Sequence, residues 1–394
     1  MLNRIEEKTE EHEMVQFLSK MDDVPFRIKV KHSEYTIGEG TPVFTVILKQ
    51  PIPLSSLMES TSLALGEAYM DGNLEIEGSL YEALRSFMGQ MPKFSTDHKA
   101  LKKLMHTSLS KKTQSEEIQK HYDIGNDFYS LWLDPTLSYS CAYFKNPGDS
   151  LYKAQMNKID YILEKLHLEK GMTLLDVGCG WGFLLIEAAK KYKVRGTGIT
   201  LSKEQYQKFE ERIRSEKLED FLDVKLLDYR DLPKLGKKFD RVVSVGMLEH
   251  VGRENYQRFV DSINDIMKDG GLFLLHFISG RKEYQGDPWI RKYIFPGGVV
   301  PSLREMISAL SEDEFHVLDV ENLRMHYNKT LLCWDNNFMS QLDKVREKFD
   351  ERFIRMWHLY LTGCASTFYN GIIDIHQVLV TKGVNNDLPV TRWY

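Results

Sequence analysis

Hydrophobic positions along this chain change their period near residue 150, and that change divides it. Downstream, short apolar runs alternate with stretches whose apolar residues recur at helical spacing. The runs predict seven strands, at 173–178, 194–200, 223–228, 239–245, 271–278, 316–322 and 375–381. Near-continuous apolar strands separated by helices call for a mostly parallel sheet covered on both faces, an α/β fold. Upstream, 26–31 and 44–48 are strand-like runs around Gly38 and Gly40. Residues 56–69 and 79–91 have helical periodicity on either side of an Asp71-Gly72-Asn73 turn. The pattern therefore predicts a small α+β domain over 1–100, a linker over 101–118 without Pro or aromatic residues, and a larger domain over 119–394.

The first predicted strand of the larger domain runs into Asp176-Val-Gly178-Cys-Gly180-Trp-Gly182. Glycine at three alternate positions clears side chains where backbone must bend and lie against a ligand, and Asp176 offers a carboxylate to a cationic amine. A dinucleotide fingerprint would need glycine at position 183, which is Phe. The second strand ends in Thr200, Leu201 and Ser202, where nicotinamide-binding folds carry an acidic residue. The turn reads as a site for S-adenosylmethionine, with a purely structural glycine turn as the alternative. Ligands of such sheets lie beyond the carboxyl ends of the strands. Residues 176–182, Thr200, Asp228, 246–250 and 276–279 should therefore converge.

Several positions carry two readings. Asp228, with Tyr229 and Arg230, either meets an adenine amino group or forms an Asx turn. Glu249 and His250, at the end of the fourth strand, make a candidate acid–base or anion-organising pair. His276 interrupts the apolar run 272–278 as either a satisfied core residue or a site residue. Trp181 either packs under a cofactor or fills the strand–helix joint. The aromatic density of 121–144 is packing, or else a pocket for an acyl chain whose ring faces stabilise a developing cation. Tyr327, in the polar and aromatic stretch 324–334, is a candidate hydroxyl.

Composition adjusts this picture modestly. The 394 residues are 42% apolar and 28% charged, enough for two or three domains with a sizeable core. A net charge of −5 argues against a nucleic-acid partner. Residues 91–120, however, hold seven lysines against Asp97, Glu116 and Glu117, interleaved with Phe94, Leu101, Leu104, Met105 and Leu109. That stretch is a membrane-surface segment or a solvated linker. No apolar run approaches the roughly 18–20 residues of a membrane span, and the N-terminus lacks the shape of a signal peptide, so a cytoplasmic location is expected. Cys141, Cys179, Cys333 and Cys364 show no C-x-x-C spacing, and neither a disulfide framework nor a metal site is expected.

Taken in order, His121-Tyr-Asp-Ile-Gly-Asn126, Tyr139-Ser-Cys141, the 175–182 turn, Gly198-Ile-Thr-Leu-Ser202, Met247-Leu-Glu-His250, Phe295-Pro-Gly-Gly298 and His326-Tyr327 resemble the cyclopropane-fatty-acyl-phospholipid synthases. That family groups the bacterial cyclopropane fatty acid synthases with the mycolic acid cyclopropane synthases. Leu65-Gly-Glu-Ala-Tyr-Met-Asp-Gly72 looks like the lipid-binding N-terminal domain of the bacterial enzymes. The resemblance implies a Rossmann-like class I methyltransferase fold and methylene transfer from S-adenosylmethionine to a cis double bond of a phospholipid acyl chain, through a carbocation. It implies a bicarbonate ion as proton acceptor, held by Cys141, Glu249, His276, the backbone of Ile278, and Tyr327. Cys364 matches a cysteine regarded in the family as a nucleophile, although alkene methylation needs no covalent enzyme intermediate.

For the cofactor, the resemblance places Tyr122, Tyr139, Ser140, Gly178 and Gly180 near the methionine part, Thr200, Leu201 and Gln205 near the ribose, and Asp228, Tyr229 and Arg230 near the adenine. It implies a homodimer, peripherally associated with the inner face of the cell membrane. The competing readings are a methyltransferase on another lipid or a small molecule without ring closure, and a lipid-binding protein with a degenerate site.

Overall fold

The computed structural model describes residues 2–90, 124–284 and 286–394, with side chains from residue 9 onward. Tyr122, the linker at 101–118 and the whole lysine-rich stretch at 91–120 lie outside the described residues. The described residues form two compact units.

The first unit comprises 2–90, 286–294 and 331–372. Its sheet contains β1 (Phe26–Val30), β2 (Ser33–Ile37), β3 (Thr45–Leu48) and β4 (Leu74–Glu77), in the order β2-β1-β3-β4. Period-two alternation in β1 sends Phe26, Ile28 and Val30 into a core shared with Val46, Leu48, Leu57, Met14 and Phe17. The predicted 56–69 helix is two helices, Leu54–Glu59 and Thr61–Met70. They part at Ser60, whose extended backbone lets its hydroxyl accept from Leu63 N–H at 3.4 Å as an N-cap. Sequence periodicity misses the helix Leu2–Leu18, and it misses β2 and β4, which at four or five residues are too short to stand out.

Packing departs from chain order in this unit. Segments 286–294 and 331–372 follow residue 119 in sequence, yet the helices Pro288–Tyr293 and Glu351–Tyr369 pack on Thr61–Met70. The Gly66–Asp71 stretch receives them. A Cβ on Gly66 would lie 2.5 Å from the Trp289 indole, so only glycine admits that ring. Glu67 accepts from Lys292 Nζ at 2.6 Å and Tyr293 Oη at 2.8 Å, and Arg355 donates to the Tyr69 carbonyl at 2.5 Å while stacking over its ring. In this way a sequence motif becomes a docking platform for two helices.

The second unit comprises 124–284, 295–330 and 373–394. Its sheet is built from β5 (Thr173–Val177), β6 (Arg195–Thr200), β7 (Leu222–Leu226), β8 (Phe239–Val245), β9 (Met267–Gly280), β10 (Phe315–Asn322) and β11 (Ile373–Lys382). Their order is β10-β11-β9-β8-β5-β6-β7, and β11 runs antiparallel to both its neighbours while the others share one direction. The predicted α/β architecture with a mostly parallel seven-stranded sheet is the one observed.

Successive residues of β5 feed opposite faces. Leu174 packs among Leu185, Ile213 and Leu272, whereas Leu175 joins Phe259, Ile263 and Phe273. β5 pairs with β6 on one side and β8 on the other, at the point where strand order reverses, so their connections leave to opposite faces and open a cleft at the carboxyl ends. Phe209, fully buried on the helix Lys203–Ser215, closes the layer behind the glycine turn. Its ring fills the space that a Cβ of Gly182 (2.0 Å) or Gly198 (2.9 Å) would need. Phe209→Ala should therefore lower the unfolding free energy of this unit by about 3–5 kcal/mol in chemical denaturation. A loss below about 1 kcal/mol would show that the layer tolerates the cavity.

Candidate active site

β5 delivers Asp176 to the cleft, and the chain then turns on Gly178, Gly180 and Gly182, all with positive φ (83°, 54° and 80°). Amides of Gly178 and Cys179 both donate to the Ile199 carbonyl at 3.0 Å, which ties the turn to β6. The three glycines serve different ends. A Cβ on Gly178 would strike Met247 at 2.8 Å and one on Gly182 would strike Phe209, but one on Gly180 would meet no atom within 4 Å. Gly180 therefore borders open space, which is what a turn lying against a ligand requires. Asp176 is buried, and its Oδ1 has no hydrogen-bond partner among the described residues. Burial pushes its carboxyl up to about 7, partly offset by the Lys158 ammonium. A buried acid of this kind, facing a cavity, fits the amine of S-adenosylmethionine.

The cavity over this turn is lined by Tyr139, Ser140, Asp176, Gly178, Gly180, Trp181, Thr200, Leu201, Gln205, Asp228 and Tyr229, so one space gathers nearly all the predicted cofactor residues. Thr200 Oγ1 donates to Gln205 Oε1 at 2.7 Å and accepts from Ser202 N–H at 3.1 Å; Ser202 caps the helix that carries Gln205. Asp228 forms an Asx turn and also lines the cavity: Oδ1 accepts from Arg230 N–H (2.9 Å) and Nε (2.7 Å), and Oδ2 accepts from Nη2 (2.5 Å). Arg230 braces Asp228 and does not itself line the cavity. Trp181 borders the cavity, while its Nε1 donates to Asn126 Oδ1 at 2.7 Å and its ring packs 5.4 Å from that of Tyr129. Phe128, Tyr129 and Trp132 are core.

A second group lies at the ends of β8 and β9. The Gly246 amide donates to the His276 carbonyl at 2.9 Å, and Glu249 Oε1 accepts from Ile278 N–H at 2.6 Å. Val299, after the Phe295–Gly298 turn, donates its amide to the Glu249 carbonyl at 3.0 Å and holds that segment in place. Burial pushes the Glu249 carboxyl up to about 7, and His276 is held neutral by burial and by the nearby Lys158, Lys165 and His376. Glu249 Oε2 and His276 Nε2 are both buried with no partner among the described residues. Of these two atoms one is an acceptor and one a potential donor, so both are open to a hydrogen-bonding ligand.

Cys141 is fully buried, its Sγ 3.9 Å from the Leu323 carbonyl; Leu323 N–H in turn donates to Ile375, the residue paired with Ile278. Ala142 N–H donates to Thr330 Oγ1 at 3.0 Å, fastening this segment to the helix Arg324–Ser340, which carries the buried Tyr327. Burial raises the Cys141 thiol well above its ordinary range, so it stays protonated. Cys364 lies in the first unit, on the helix Glu351–Tyr369, and burial pushes its thiol up to about 12, which leaves no thiolate for a nucleophile at neutral pH.

Two residues missed from sequence join the groups. Lys158 and Gln155 sit on the buried stripe of the helix Leu151–Lys165, with Leu151, Ala154, Ile159 and Ile162. Lys158 Nζ donates to Ser140 Oγ at 2.9 Å and Gln155 Nε2 to the Ser140 carbonyl at 2.9 Å, so they shape the cavity wall. The available signal was polar residues at core spacing on an amphipathic helix.

Fold and site together define a class I S-adenosylmethionine-dependent methyltransferase. The cyclopropane synthase MmaA2 of Mycobacterium tuberculosis superposes with a TM-score of 0.64 at 33% identity, covering 68% of this chain and 98% of that one. The mycolic acid cyclopropane synthase CmaA1, complexed with SAH and CTAB, gives 0.64 at 36% identity over the same shares. The mycolic acid cyclopropane synthetase family model matches residues 109–378, and the chain belongs to that family. It is 39% identical to the cyclopropane-fatty-acyl-phospholipid synthase of Escherichia coli K12 over 361 residues, 90% of this chain and 92% of that protein. It is 40% identical to a probable fatty acid methyltransferase of Pseudomonas putida, over 94% and 95% of the two chains. Residues 14–99 match a domain of unknown function.

The glycine geometry separates folding from binding. Gly180→Ala should lose only a few degrees of melting temperature, from the about 1–2 kcal/mol that this φ costs an alanine, yet bind S-adenosylmethionine at least about tenfold more weakly in calorimetric titration, because its methyl group enters ligand space. Gly182→Ala should instead lose thermal stability. Equal behaviour of the two would contradict the assignment.

Proposed function

We propose that this enzyme adds a methylene across a cis double bond in the acyl chain of a membrane phospholipid, forming a cyclopropane ring. The observation that carries this reading is the pair of buried, unpartnered atoms Glu249 Oε2 and His276 Nε2 beside a cofactor cavity, in a chain of the cyclopropane synthetase family. S-adenosylmethionine supplies an electrophilic methyl group on a sulfonium. Asp176, Tyr139, Ser140 and the turn at 178–180 would hold its amino acid part, Thr200, Leu201 and Gln205 its ribose side, and Asp228 and Tyr229 its adenine. Tyr122 belongs with the first set by the family resemblance.

An alkene is a weak nucleophile, so the protein's contributions are alignment of the two reactants and exclusion of water from the cation that follows. The cation loses a proton from the added methyl group as the ring closes. Bicarbonate, held by His276, Tyr327, Glu249, Cys141 and the Ile278 backbone, would supply the proton acceptor. Glu249 can play only an accepting part when ionised: one oxygen takes the Ile278 amide and the other is left for the acidic proton of the anion. Cys141, protonated, would contribute a weak donor.

Access to phospholipid is supported by the lysine-rich 91–120 stretch, which is suited to an anionic membrane surface, and by the resemblance of residues 65–72 to a lipid-binding domain. Among the described residues no helix is long and apolar enough to cross a membrane. We place the enzyme as a homodimer on the inner face of the cell membrane, the arrangement that the family resemblance supports.

Mass spectrometry of unsaturated phospholipid vesicles treated with enzyme and S-adenosylmethionine should show a gain of one CH2 that resists hydrogenation and depends on bicarbonate. A product that hydrogenation still saturates would mean methylation without ring closure. With saturating cofactor, turnover should fall about tenfold per pH unit below about 7, because Glu249, raised to that value, is ionised above it and neutral below. Glu249→Gln should bind cofactor normally and lose about 100-fold or more in turnover. Weakened cofactor binding instead would move Glu249 out of the anion site.

A further inference from the structure

Behind His276 lies a row of polar side chains that the chemistry above does not use. In the sheet register Glu321 on β10 pairs with Gln377 on β11, and Gln377 pairs with His276 on β9, so the three side chains stand side by side on one face. Lys165, the last residue of the helix Leu151–Lys165, lies over this row and is itself buried. Its Nζ donates to Glu321 Oε2 at 2.5 Å and to Gln377 Oε1 at 2.8 Å, and it sits 4.2 Å and 5.1 Å from the ring centres of Tyr161 and Tyr394. The other end of the Gln377 amide, Nε2, is 3.1 Å from His276 Nδ1.

The direction of every hydrogen bond in this row follows from one fact: an ammonium group only donates. Lys165 therefore requires the oxygen of the Gln377 amide, which turns the NH2 toward His276. An amide NH2 only donates, so His276 Nδ1 must accept. A neutral imidazole carries one N–H, and with Nδ1 accepting, that proton resides on Nε2. His276 Nε2 is the buried atom that has no partner among the described residues.

We propose that Lys165 and Gln377 are positioning residues that lock His276 as the Nε2–H tautomer, so that a hydrogen-bond donor rather than a lone pair faces the anion. The inference rests on the anion site proposed above for its functional consequence, but the tautomer itself does not depend on that reading. Without the lysine, Gln377 can turn over and present its oxygen to Nδ1–H, which leaves a lone pair at Nε2 that repels an anion. The arrangement also gives a role to a lysine buried under two aromatic rings far along the helix from the cofactor wall.

The test is long-range 1H–15N correlation on ligand-free protein labelled at histidine, with the His276 signals identified by their loss in His276→Gln. The wild-type protein should show a protonated Nε2 and a bare Nδ1. In Gln377→Glu a carboxylate oxygen faces the ring, and the pattern should invert to Nδ1–H. The bicarbonate concentration for half-maximal turnover should then rise about 10- to 100-fold, the usual cost of losing a group that orients a ligating histidine, while the S-adenosylmethionine Kd stays within about twofold. Lys165→Met gives a second route to the same shift if Gln377→Glu does not fold, since its partner Glu321 is partly exposed and tolerates losing the cation. A wild-type His276 protonated at Nδ1, or at both nitrogens, overturns the lock. An inverted tautomer with an unchanged bicarbonate requirement overturns the anion site on which its purpose depends.

Discussion

The parallel pairing of β5 with both β6 and β8 is the constraint on which the site depends. Because strand order reverses there, the segments that follow β5 and β8 diverge, and the backbone between them cannot fill the cleft at the carboxyl ends. Much of the site is hung from that edge. Asp176 and the glycine turn come off β5, Thr200 off β6, and the Glu249 segment off β8. His276 and Ile278 follow on β9, whose partner β11 contributes Gln377. The packing behind the edge is correspondingly tight, with Phe209 filling the space that side chains at 182 and 198 would take.

Desolvation gives that edge its chemical character. Asp176 and Glu249 are carboxyls whose affinity for a proton is raised by burial, and His276 is an imidazole kept neutral by the same cause together with neighbouring cations. Each is left with an unpartnered atom among the described residues. Buried polar atoms of this sort cost stability in the free protein, and the cost is recovered when a ligand of complementary charge or hydrogen-bonding pattern arrives. The proposed carbocation would gain doubly from dryness: water, the competing nucleophile, is kept out, and fixed dipoles act at full strength.

Much of this was legible in the residues. The seven strands of the large sheet appear close to where apolar periodicity places them, because buried parallel strands are continuous hydrophobic runs with sharp polar ends. The 176–182 turn announced itself through glycine spacing. The first unit was harder to read: β2 and β4 are short, and Gly66 acquires meaning only from Trp289, more than two hundred residues away. Two ambiguous positions were decided by geometry that no local pattern carries. Asp228 proved to be tied to Arg230, and His276 proved to be buried yet open at Nε2. Lys158, Lys165 and Gln377 escaped notice because a polar residue on an apolar stripe becomes informative only when its partners across the sheet are known.

The central claim is that ring closure proceeds by loss of a proton from the transferred methyl group inside a dry site. Turnover with S-adenosylmethionine fully deuterated at that methyl tests it most directly, with the lipid product read by mass spectrometry. The account predicts a cyclopropane that retains two of the three deuterons, with the third lost to the acceptor. A product that retains all three would contradict it, since the cation would then be quenched elsewhere and the anion site would have no part in closing the ring.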